Sequence, residues 1–241
     1  MYDAQARERK ARTMVAVLEH FFAARPLATL SLLNVGSSAG LIDRYLAGRF
    51  AGVVGMDIDA PAVRHAAATN DRGNLRFFVG DAMHLPFDDG SFDVVVCSQV
   101  YEHVPDAGRM MSEIFRALKP GGACYFAAGN RIMWNEPHYD MRLLSLMPRW
   151  LADLRVRASG KAQGYYERHF TYWGLKRLVA KFALHDYTKA IIDDPAAFHA
   201  DYMLRPGSAK AAIAGIVARY LMWLSPGYVW VLEKPARSPS K

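Results

Sequence analysis

Short apolar runs alternate with amphipathic stretches along the first half of the chain. The runs at residues 30–35, 53–57, 75–79, 93–98 and 123–128 are bounded by glycine, proline or polar residues, and each predicts a strand. Between them, apolar residues at helical spacing predict helices at 40–46, 60–68 and 107–118. Continuous apolar strands that alternate with helices are typical of an α/β protein with a parallel sheet covered on both faces.

The rest of the chain has a different pattern. Residues 3–24 predict an amphipathic helix that ends before Pro26, and residues 130–170 are rich in aromatics without a clean period. Beyond them, the pattern predicts a helix at 172–182, a strand at 184–192, a helix at 208–224 and a strand at 228–233. We therefore expect one domain, 1–241, in five parts. These are an N-terminal helix (1–26), a ligand-binding core (28–130), an inserted lid over the substrate (131–170), the C-terminal part of the sheet (171–233) and a flexible tail (234–241).

Composition limits the class of protein. The chain has 241 residues, of which 52% are hydrophobic and 22% charged, as in an ordinary folded protein. The two cysteines, Cys97 and Cys124, lie in apolar runs and predict buried reduced thiols and a cytoplasmic location. The eight histidines are scattered and no CxxC occurs, so the spacing predicts no metal site. The apolar stretch 211–224 is interrupted by Arg219 and is too short to span a membrane.

Charge is unevenly distributed. The net charge is +7, yet residues 1–130 carry 13 Lys and Arg against 14 Asp and Glu, while residues 131–241 carry 17 against 9. A basic half suits an anionic substrate, a membrane surface or a nucleic acid, and it can equally be solvated surface charge. Because no aromatic-basic motif accompanies it, nucleic acid is not an expected partner.

The first predicted strand leads into Gly36-Ser37-Ser38-Ala39-Gly40, a turn of small residues before a helix. Such a turn lets a ligand approach the backbone and the helix N-terminus, although a tight turn with no ligand is an alternative. A dinucleotide fingerprint fails because Ser38 and Leu41 replace two of its glycines. The G-x-S-x-G pattern of a serine hydrolase does match, with Ser38 as the nucleophile, but no oxyanion segment precedes it.

Carboxylates follow the next two predicted strands. Asp57 ends the second strand, where an acid can accept both hydroxyls of a ribose, and Asp81 follows the third. The alternative for Asp57 is to cap the next helix, a role for which Asp59 is better placed because Pro61 follows it.

In order, the segments VGSSAG, GMDID, GDAMHLPF, GSFDVVVCSQVYEHVPD and ALKPGG resemble the class I S-adenosylmethionine-dependent methyltransferases. The broad group that includes the ubiquinone and menaquinone biosynthesis methyltransferases is the most similar, and the resemblance covers about residues 28–130. It implies a Rossmann-like fold with a seven-stranded, mostly parallel sheet whose last strand is antiparallel. It also implies S-adenosyl-L-methionine as cofactor and S-adenosyl-L-homocysteine as product.

The resemblance assigns roles along the cofactor. Asn34, Gly36, Ser37 and Gly40 would contact the methionine part, Asp57 the ribose, and Asp81 and the Ala82 backbone the adenine. Ile58 and Met83 would sandwich the adenine, and residues from Ser98 onward would line the methyl end. Two positions depart from the family pattern, since Asn34 replaces an acid and Ser38 a glycine. Both departures predict weaker cofactor binding, and a non-catalytic cofactor-binding scaffold is therefore an alternative.

The candidate catalytic residues lie after the fourth strand and in the lid. His103 is the first candidate for a base, which is needed only if the accepting atom starts protonated. The alternative is a histidine that packs locally at the start of a helix. Glu102 would have an orienting role or be solvated, and His138 is the third candidate. The lid also offers Glu136, Tyr139, Tyr165, Tyr166, Glu167 and His169, with Arg131, Arg142 and Arg168 to hold an anionic group; alternatively, these side chains form an aromatic core beneath the insertion.

The predicted function is methyl transfer to a small-molecule or lipid-linked acceptor, including a glycan. The helix at 208–224, with Tyr220 and Trp223 near its end, can lie on a membrane surface, or it can simply cover the sheet. The sequence leaves the oligomeric state open.

Overall fold

The structure, a computed structural model, describes residues 4–236, and its apolar runs form a seven-stranded sheet. The strands are β1 (Ser31–Val35), β2 (Gly52–Asp57), β3 (Leu75–Val79), β4 (Phe92–Ser98), β5 (Leu118–Gly129), β6 (Asn135–Glu136), β7 (Met141–Arg142), β8 (Ala183–Asp186) and β9 (Gly227–Glu233). The sheet order is β3-β2-β1-β4-β5-β9-β8, and β6 and β7 form a separate hairpin. Strand β9 is antiparallel to both of its neighbours, and the pairings from β3 to β5 are parallel. The predicted fold class is confirmed.

Helices cover both faces of the sheet. They are α1 (Ala4–Phe21), α2 (Leu41–Leu46), α3 (Ala60–Thr69), α4 (Ala107–Ala117), α5 (Arg149–Ala158), α6 (Tyr172–Leu178), α7 (Tyr187–Asp193) and α8 (Ala209–Tyr220). Leu33 and Val95 face the cluster that contains α4 and α6, and their neighbours Leu32 and Val94 face α1, α2 and α7. This alternation explains why the strands are apolar without interruption. Among residues 4–236, none of the helices is both long and apolar enough to cross a membrane.

Strand β1 lies between β2 and β4, so the chain turns in opposite directions on its two sides. In doubly wound sheets, ligands bind at the carboxyl ends of the strands beside such a reversal. The loops after β1, β2, β3 and β4 all open at this edge.

Two sequence expectations need correction. The strand predicted at 184–192 is wrong, because β8 ends at Asp186 and α7 follows directly. The Asp186 carboxylate accepts a hydrogen bond from Thr188 N (2.8 Å), and this cap starts a helix in a run rich in β-branched residues. Helix α5 was not predicted; Pro148 precedes it, and no side chain caps its first turn.

Residues 131–170, the inserted segment, contain the β6–β7 hairpin, a short 3₁₀ turn and α5. They have a small core of their own, formed by Tyr139, Met141, Leu144, Ala152, Val156 and Tyr165. Its role as a substrate lid stays a prediction. Residues 1–3 of the predicted N-terminal helix and 237–241 of the predicted tail lie outside the described residues.

Asp93, at the start of β4, connects three parts of the chain. Its carboxylate accepts hydrogen bonds from Arg25 (2.6 Å), from Lys119 Nζ (2.7 Å) and from both N and Oγ of Ser31 (3.1 and 2.8 Å). Burial by itself would raise the pKa of Asp93, but the bonds from Lys119, Ser31 and Arg25 outweigh burial and lower it to about 2.

We therefore expect Asp93→Asn to lower the free energy of unfolding at pH 7 by roughly 1–3 kcal/mol. The folded pKa lies below the unfolded value, so this stabilisation is present above about pH 4 and is lost as the pH falls towards 2. Urea unfolding of both proteins at pH 7 and pH 3 measures the difference, which should shrink at pH 3. Asp88→Asn, at an exposed acid nearby, is the control. A difference independent of pH contradicts this account.

Candidate active site

The loop after β1 adopts backbone conformations that explain its glycines. Gly36 has φ +80° and Gly40 has φ +73°, in the left-handed region that favours glycine. A Cβ atom at Gly36 would lie 2.6 Å from the side chain of Val100, so the loop could not approach the β4 end with any larger residue. The Ser37 hydroxyl is buried and has no hydrogen-bond partner among the described residues, as expected of a group that contacts a ligand.

Asp57 is held by backbone donors. Its Oδ2 accepts from Ser38 N (2.7 Å) and its Oδ1 from Asp59 N (2.9 Å). Asp59, not Asp57, caps α3 by accepting from Ala62 N (3.2 Å), so Asp57 keeps lone pairs for a ligand. Asp81 is held in a similar way, since its Oδ1 accepts from Met83 N (2.8 Å).

A cavity of about 1190 Å³ opens at this edge of the sheet. The sequence-predicted residues that line it are Asn34, Gly36, Asp57, Ile58, Asp81, Ala82, Met83, Ser98, His103 and His138. Ile58 is 74% exposed, as suits an apolar side chain that covers a flat ring. Ser37, Gly40 and Glu102 are not among the lining residues. The first two belong to the loop after β1, and Glu102 is buried.

The acid missing at position 34 is replaced by a neighbouring acid. Asn34 Nδ2 donates to both carboxylate oxygens of Asp43, each 3.0 Å away, and both residues are buried. Burial raises the pKa of Asp43 to about 7, although the Asn34 bond opposes the shift. Sequence reasoning did not find Asp43. The available signal was an acid on the buried side of the apolar helix α2.

Ser38 occupies the other departure from the family pattern, with φ +50° and its N–H bonded to Asp57. A non-glycine residue in the left-handed region carries some backbone strain, and the hydrogen bond from Ser38 N to Asp57 stabilises this conformation. The hydrolase alternative lacks its base, because no histidine in residues 4–236 hydrogen-bonds to Ser38.

Three glutamates and three histidines meet where the inserted segment contacts the β4 end. This Glu–His cluster consists of Glu102, His103, Glu136, His138, Glu167 and His169. It brings together the three predicted catalytic residues and three others that the sequence offered without pairing them. The signal that could have found them is the repeated Glu-x-His pattern at 136–138 and 167–169.

Glu136 is at the centre of the cluster. Its Oε1 lies 2.6 Å from His138 Nδ1 and 3.5 Å from His169 Nε2, and its Oε2 accepts from Tyr139 N (3.0 Å). Burial would raise the pKa of Glu136, but the bond from His138 and the nearby His169 ring lower it to about 2. The same bond to Glu136 raises the pKa of His138, against its burial.

Glu102 and His103 lie beside this pair. Both carboxylate oxygens of Glu102 are buried without a hydrogen-bond partner in the described part of the chain, and burial raises its pKa. The ring of His103 is perpendicular to that of His138 at 4.7 Å, and its Nδ1 is 3.7 Å from Glu167 Oε1. Burial, and then His138, lower the pKa of His103.

The three arginines of the inserted segment lie outside the cavity lining. Arg131 and Arg168 donate to backbone carbonyls, and Arg142 lies over the Trp134 ring. The cations that do line the cavity are Arg7, Lys10 and Lys210, at its end near α1 and α8.

The doubly wound sheet, the glycine loop and the two acids define a protein that binds a nucleotide-like cofactor at the edge of its sheet. A family model described as a methyltransferase domain matches residues 33–126. Over 115 residues the chain is 33% identical to the ubiquinone biosynthesis O-methyltransferase of Psychrobacter cryohalolentis, covering 44% of this chain and 43% of the relative. The match thus spans less than half the length of either protein.

Solved structures share the fold. A SAM-dependent methyltransferase from Methanosarcina mazei matches with a TM-score of 0.58 and 21% identity, over 90% of this chain and 98% of that one. The [4+2]-cyclase SpnF matches with a TM-score of 0.54 and 22% identity, over 92% and 82%. The match of residues 33–126 to a methyltransferase domain and the identity to a ubiquinone biosynthesis O-methyltransferase confirm the resemblance to the class I S-adenosylmethionine-dependent methyltransferases, and that resemblance implies S-adenosylmethionine as the cofactor.

The residues present fit that cofactor. Asp57 has acceptor capacity for ribose hydroxyls, Ile58 and Met83 offer apolar surface for adenine, and the Ser37 hydroxyl lacks a partner in the described structure. Asp43 places a carboxyl group within hydrogen-bonding distance of Asn34, so a carboxyl group does lie next to this departure from the family pattern.

We expect Asn34→Asp to place two carboxyl groups in contact within a buried site and to lower the free energy of unfolding by about 1–3 kcal/mol. The double variant Asn34→Asp/Asp43→Asn exchanges acid and amide, so it should regain most of that loss. Urea unfolding of the three variants and wild type measures the coupling. If the free energy of unfolding of the double variant is no higher than that of Asn34→Asp, the acid and the amide are not interchangeable and the prediction is wrong.

Proposed function

We propose that the chain transfers a methyl group from S-adenosylmethionine to a hydroxyl of a small-molecule acceptor that has an apolar part. The observation that carries this proposal is the continuous cavity, which runs from Asp57 and Asp81 past His103 and His138 to the side chains of α8. Bound S-adenosylmethionine supplies an activated methyl group, so the protein needs to bind, orient and exclude water.

The residues at the sheet edge hold the cofactor in this proposal. Asp57 binds the ribose hydroxyls, and Asp81 with the Ala82 backbone binds the adenine edge. The backbone from Gly36 to Gly40, with Asn34 and Ser37, holds the methionine part. Ser98, at the end of β4, lies towards the methyl end. The backbone bonds that hold both carboxylates support these roles, because they orient the acceptor atoms before any ligand arrives.

His103 takes the proton of the acceptor hydroxyl in this proposal. Like His138 it lines the cavity, where Val104 and Pro105 are also lining residues, and its side chain is 41% exposed. Glu102 and His138 act on its position and charge. A base at this place removes the proton as the carbon–oxygen bond forms.

The far end of the cavity supports an apolar or lipid-linked acceptor. Ile213, Ala214 and Val217 of α8 line it, and the outer side of α8 leaves Ile216 58% and Tyr220 72% exposed. Lys10 and Lys210 line the same end and would suit an anionic group beside the apolar part. The exposed side of α8 also supports a peripheral contact with a membrane, where such an acceptor would reside.

A second candidate is a protein of this fold that binds the cofactor without methyl transfer. The [4+2]-cyclase with the same fold is a reason to keep it, because a fold does not establish a reaction. Cofactor binding without any labelled product would favour this candidate.

Saturating S-adenosylhomocysteine, at about 100 times its dissociation constant, should raise the free energy of unfolding of the wild type by roughly 2.7 kcal/mol. Asp57→Ala should lose this effect because the ribose loses its acceptor. Asp59→Ala, the neighbouring acid that only caps α3, should lower basal stability by about 1 kcal/mol and keep the ligand effect. Thermal unfolding with and without ligand measures both. If S-adenosylhomocysteine stabilises Asp57→Ala as much as the wild type, Asp57 does not bind the ribose.

His103→Gln should reduce the rate of methyl transfer by about 100-fold or more while the stabilisation by S-adenosylhomocysteine stays intact. The assay uses methyl-labelled S-adenosylmethionine with an organic extract of cells that express the protein, and label in the organic phase reports an apolar acceptor. His65→Ala, at an exposed histidine of α3, is the control. Unchanged transfer by His103→Gln excludes this role, and label confined to the aqueous phase excludes an apolar acceptor.

A further inference from the structure

Three members of the Glu–His cluster offer ligand atoms around a single point. One atom each from Glu136, His138 and His169 lies within 4.8 Å of the others. Glu136 and His169 are buried, and His138 lines the cavity. We propose that these three residues bind a divalent transition-metal ion at the wall of the cavity.

The hydrogen bonds of His169 show which of its nitrogens is free to bind. Tyr101 donates its hydroxyl hydrogen to Gly129 O (2.6 Å), so its oxygen can only accept from Phe170 N (3.2 Å) and from His169 Nδ1 (3.5 Å). In neutral His169, the hydrogen is then on Nδ1, and Nε2 carries a lone pair. A metal-binding histidine typically donates its other N–H in this manner.

That lone pair faces a carboxylate. His169 Nε2 is buried, makes no hydrogen bond within the described residues, and lies 3.5 Å from Glu136 Oε1. A lone pair and a carboxylate oxygen repel each other unless a proton or a metal cation lies between them. Glu136 Oε1 also contacts His138 Nδ1, so a cation there would meet all three side chains.

The charge around this point favours a cation with more than one positive charge. Glu102 and Glu167 are buried beside Glu136, and three of their four carboxylate oxygens are buried without a hydrogen-bond partner in the described part of the chain. Buried carboxylates without partners are costly, and a nearby divalent ion would offset that cost. Glu102, His103 and His138 form a second group within the same 4.8 Å limit, so further ligand atoms lie next to the first three.

Two imidazoles and one carboxylate are the donor set of Zn²⁺, Co²⁺ and Fe²⁺ sites that keep positions open. Because His138 lines the cavity, an open position would face the acceptor, where the ion could bind an acceptor oxygen. The proposal differs from the expectation drawn from histidine spacing, because the three ligands come close only through the folding of the inserted segment.

The test is Co²⁺ binding to the full chain after removal of metal with a chelator. We expect one equivalent of Co²⁺, visible absorption bands that report nitrogen and oxygen ligands, and displacement by Zn²⁺, which binds more tightly. His169→Ala and Glu136→Gln should each weaken Co²⁺ binding by about 10- to 100-fold or more. Glu136→Gln keeps the side-chain shape, so it tests the site even if His169→Ala does not fold, which circular dichroism checks.

His185→Ala is the matched control, because His185 on β8 forms an exposed pair with Glu233 (3.0 Å) and is not a member of the cluster. Its Co²⁺ affinity should equal that of the wild type. Absence of Co²⁺ from the wild type after dialysis, or equal affinity in the wild type and Glu136→Gln, overturns the proposal. Stabilisation by S-adenosylhomocysteine is measured on the same samples, because cofactor binding does not involve the three metal ligands. Loss of Co²⁺ binding with this stabilisation intact contradicts only the metal site, whereas absence of the stabilisation in the wild type contradicts the proposed function.

Discussion

Strand β1 pairs in parallel with β2 on one side and β4 on the other, and the geometry of the site depends on this pairing. It brings the ends of three strands to one edge, where the Gly36 turn must pass the side chain of Val100. The N–H groups of Gly36 and Ser37 both donate to Met56 O (2.8 and 3.0 Å), so the turn is tied to the end of β2. Asp57 follows Met56 directly, and its bond to Ser38 N closes the loop from the other side. A substitution at Gly36, Met56 or Asp57 is therefore expected to alter both the conformation of the loop after β1 and the orientation of the Asp57 carboxylate.

The Asn34–Asp43 pair shows how a departure from a family pattern can leave the local chemistry intact. Read alone, Asn34 removes a charge from the cofactor loop. In the fold, Asp43 of α2 supplies a carboxyl group beside position 34, and the Asn34 amide donates to both of its oxygens. Two acids in this buried space would repel, so an amide at position 34 and an acid at position 43 go together. A carboxyl group thus lies buried next to Asn34, which lines the cavity, and burial raises the pKa of this Asp43 carboxyl to about 7.

The fold, and the residues that line the cavity at the sheet edge, could be predicted because their signals are local. The strands from β1 to β5 are mainly apolar runs; Asp57 ends β2, and Asp81 follows β3. The error at 184–192 has a local cause as well, since the Asp186 cap starts a helix among β-branched residues. The Glu–His cluster could not be predicted in this way. Its members lie up to 67 positions apart, from Glu102 to His169, and meet only because the inserted segment folds back onto the β4 end. The far end of the cavity is lined by residues of α7 and α8, where no sequence motif indicates a function.

Tyr101 connects the two sides of the site. It follows β4, packs in the main core, and its hydroxyl binds Gly129 O at the end of β5 and Phe170 N at the end of the inserted segment. Glu102 adds a backbone bond, since its carbonyl accepts from Arg168 N (2.8 Å). These contacts hold the inserted segment against the β4 end and set the orientation of His169 and Glu167. The arrangement of the cluster and the position of the inserted segment therefore rest on the same hydrogen bonds, so displacement of the inserted segment would also separate Glu102 and His103 from the other four members of the cluster.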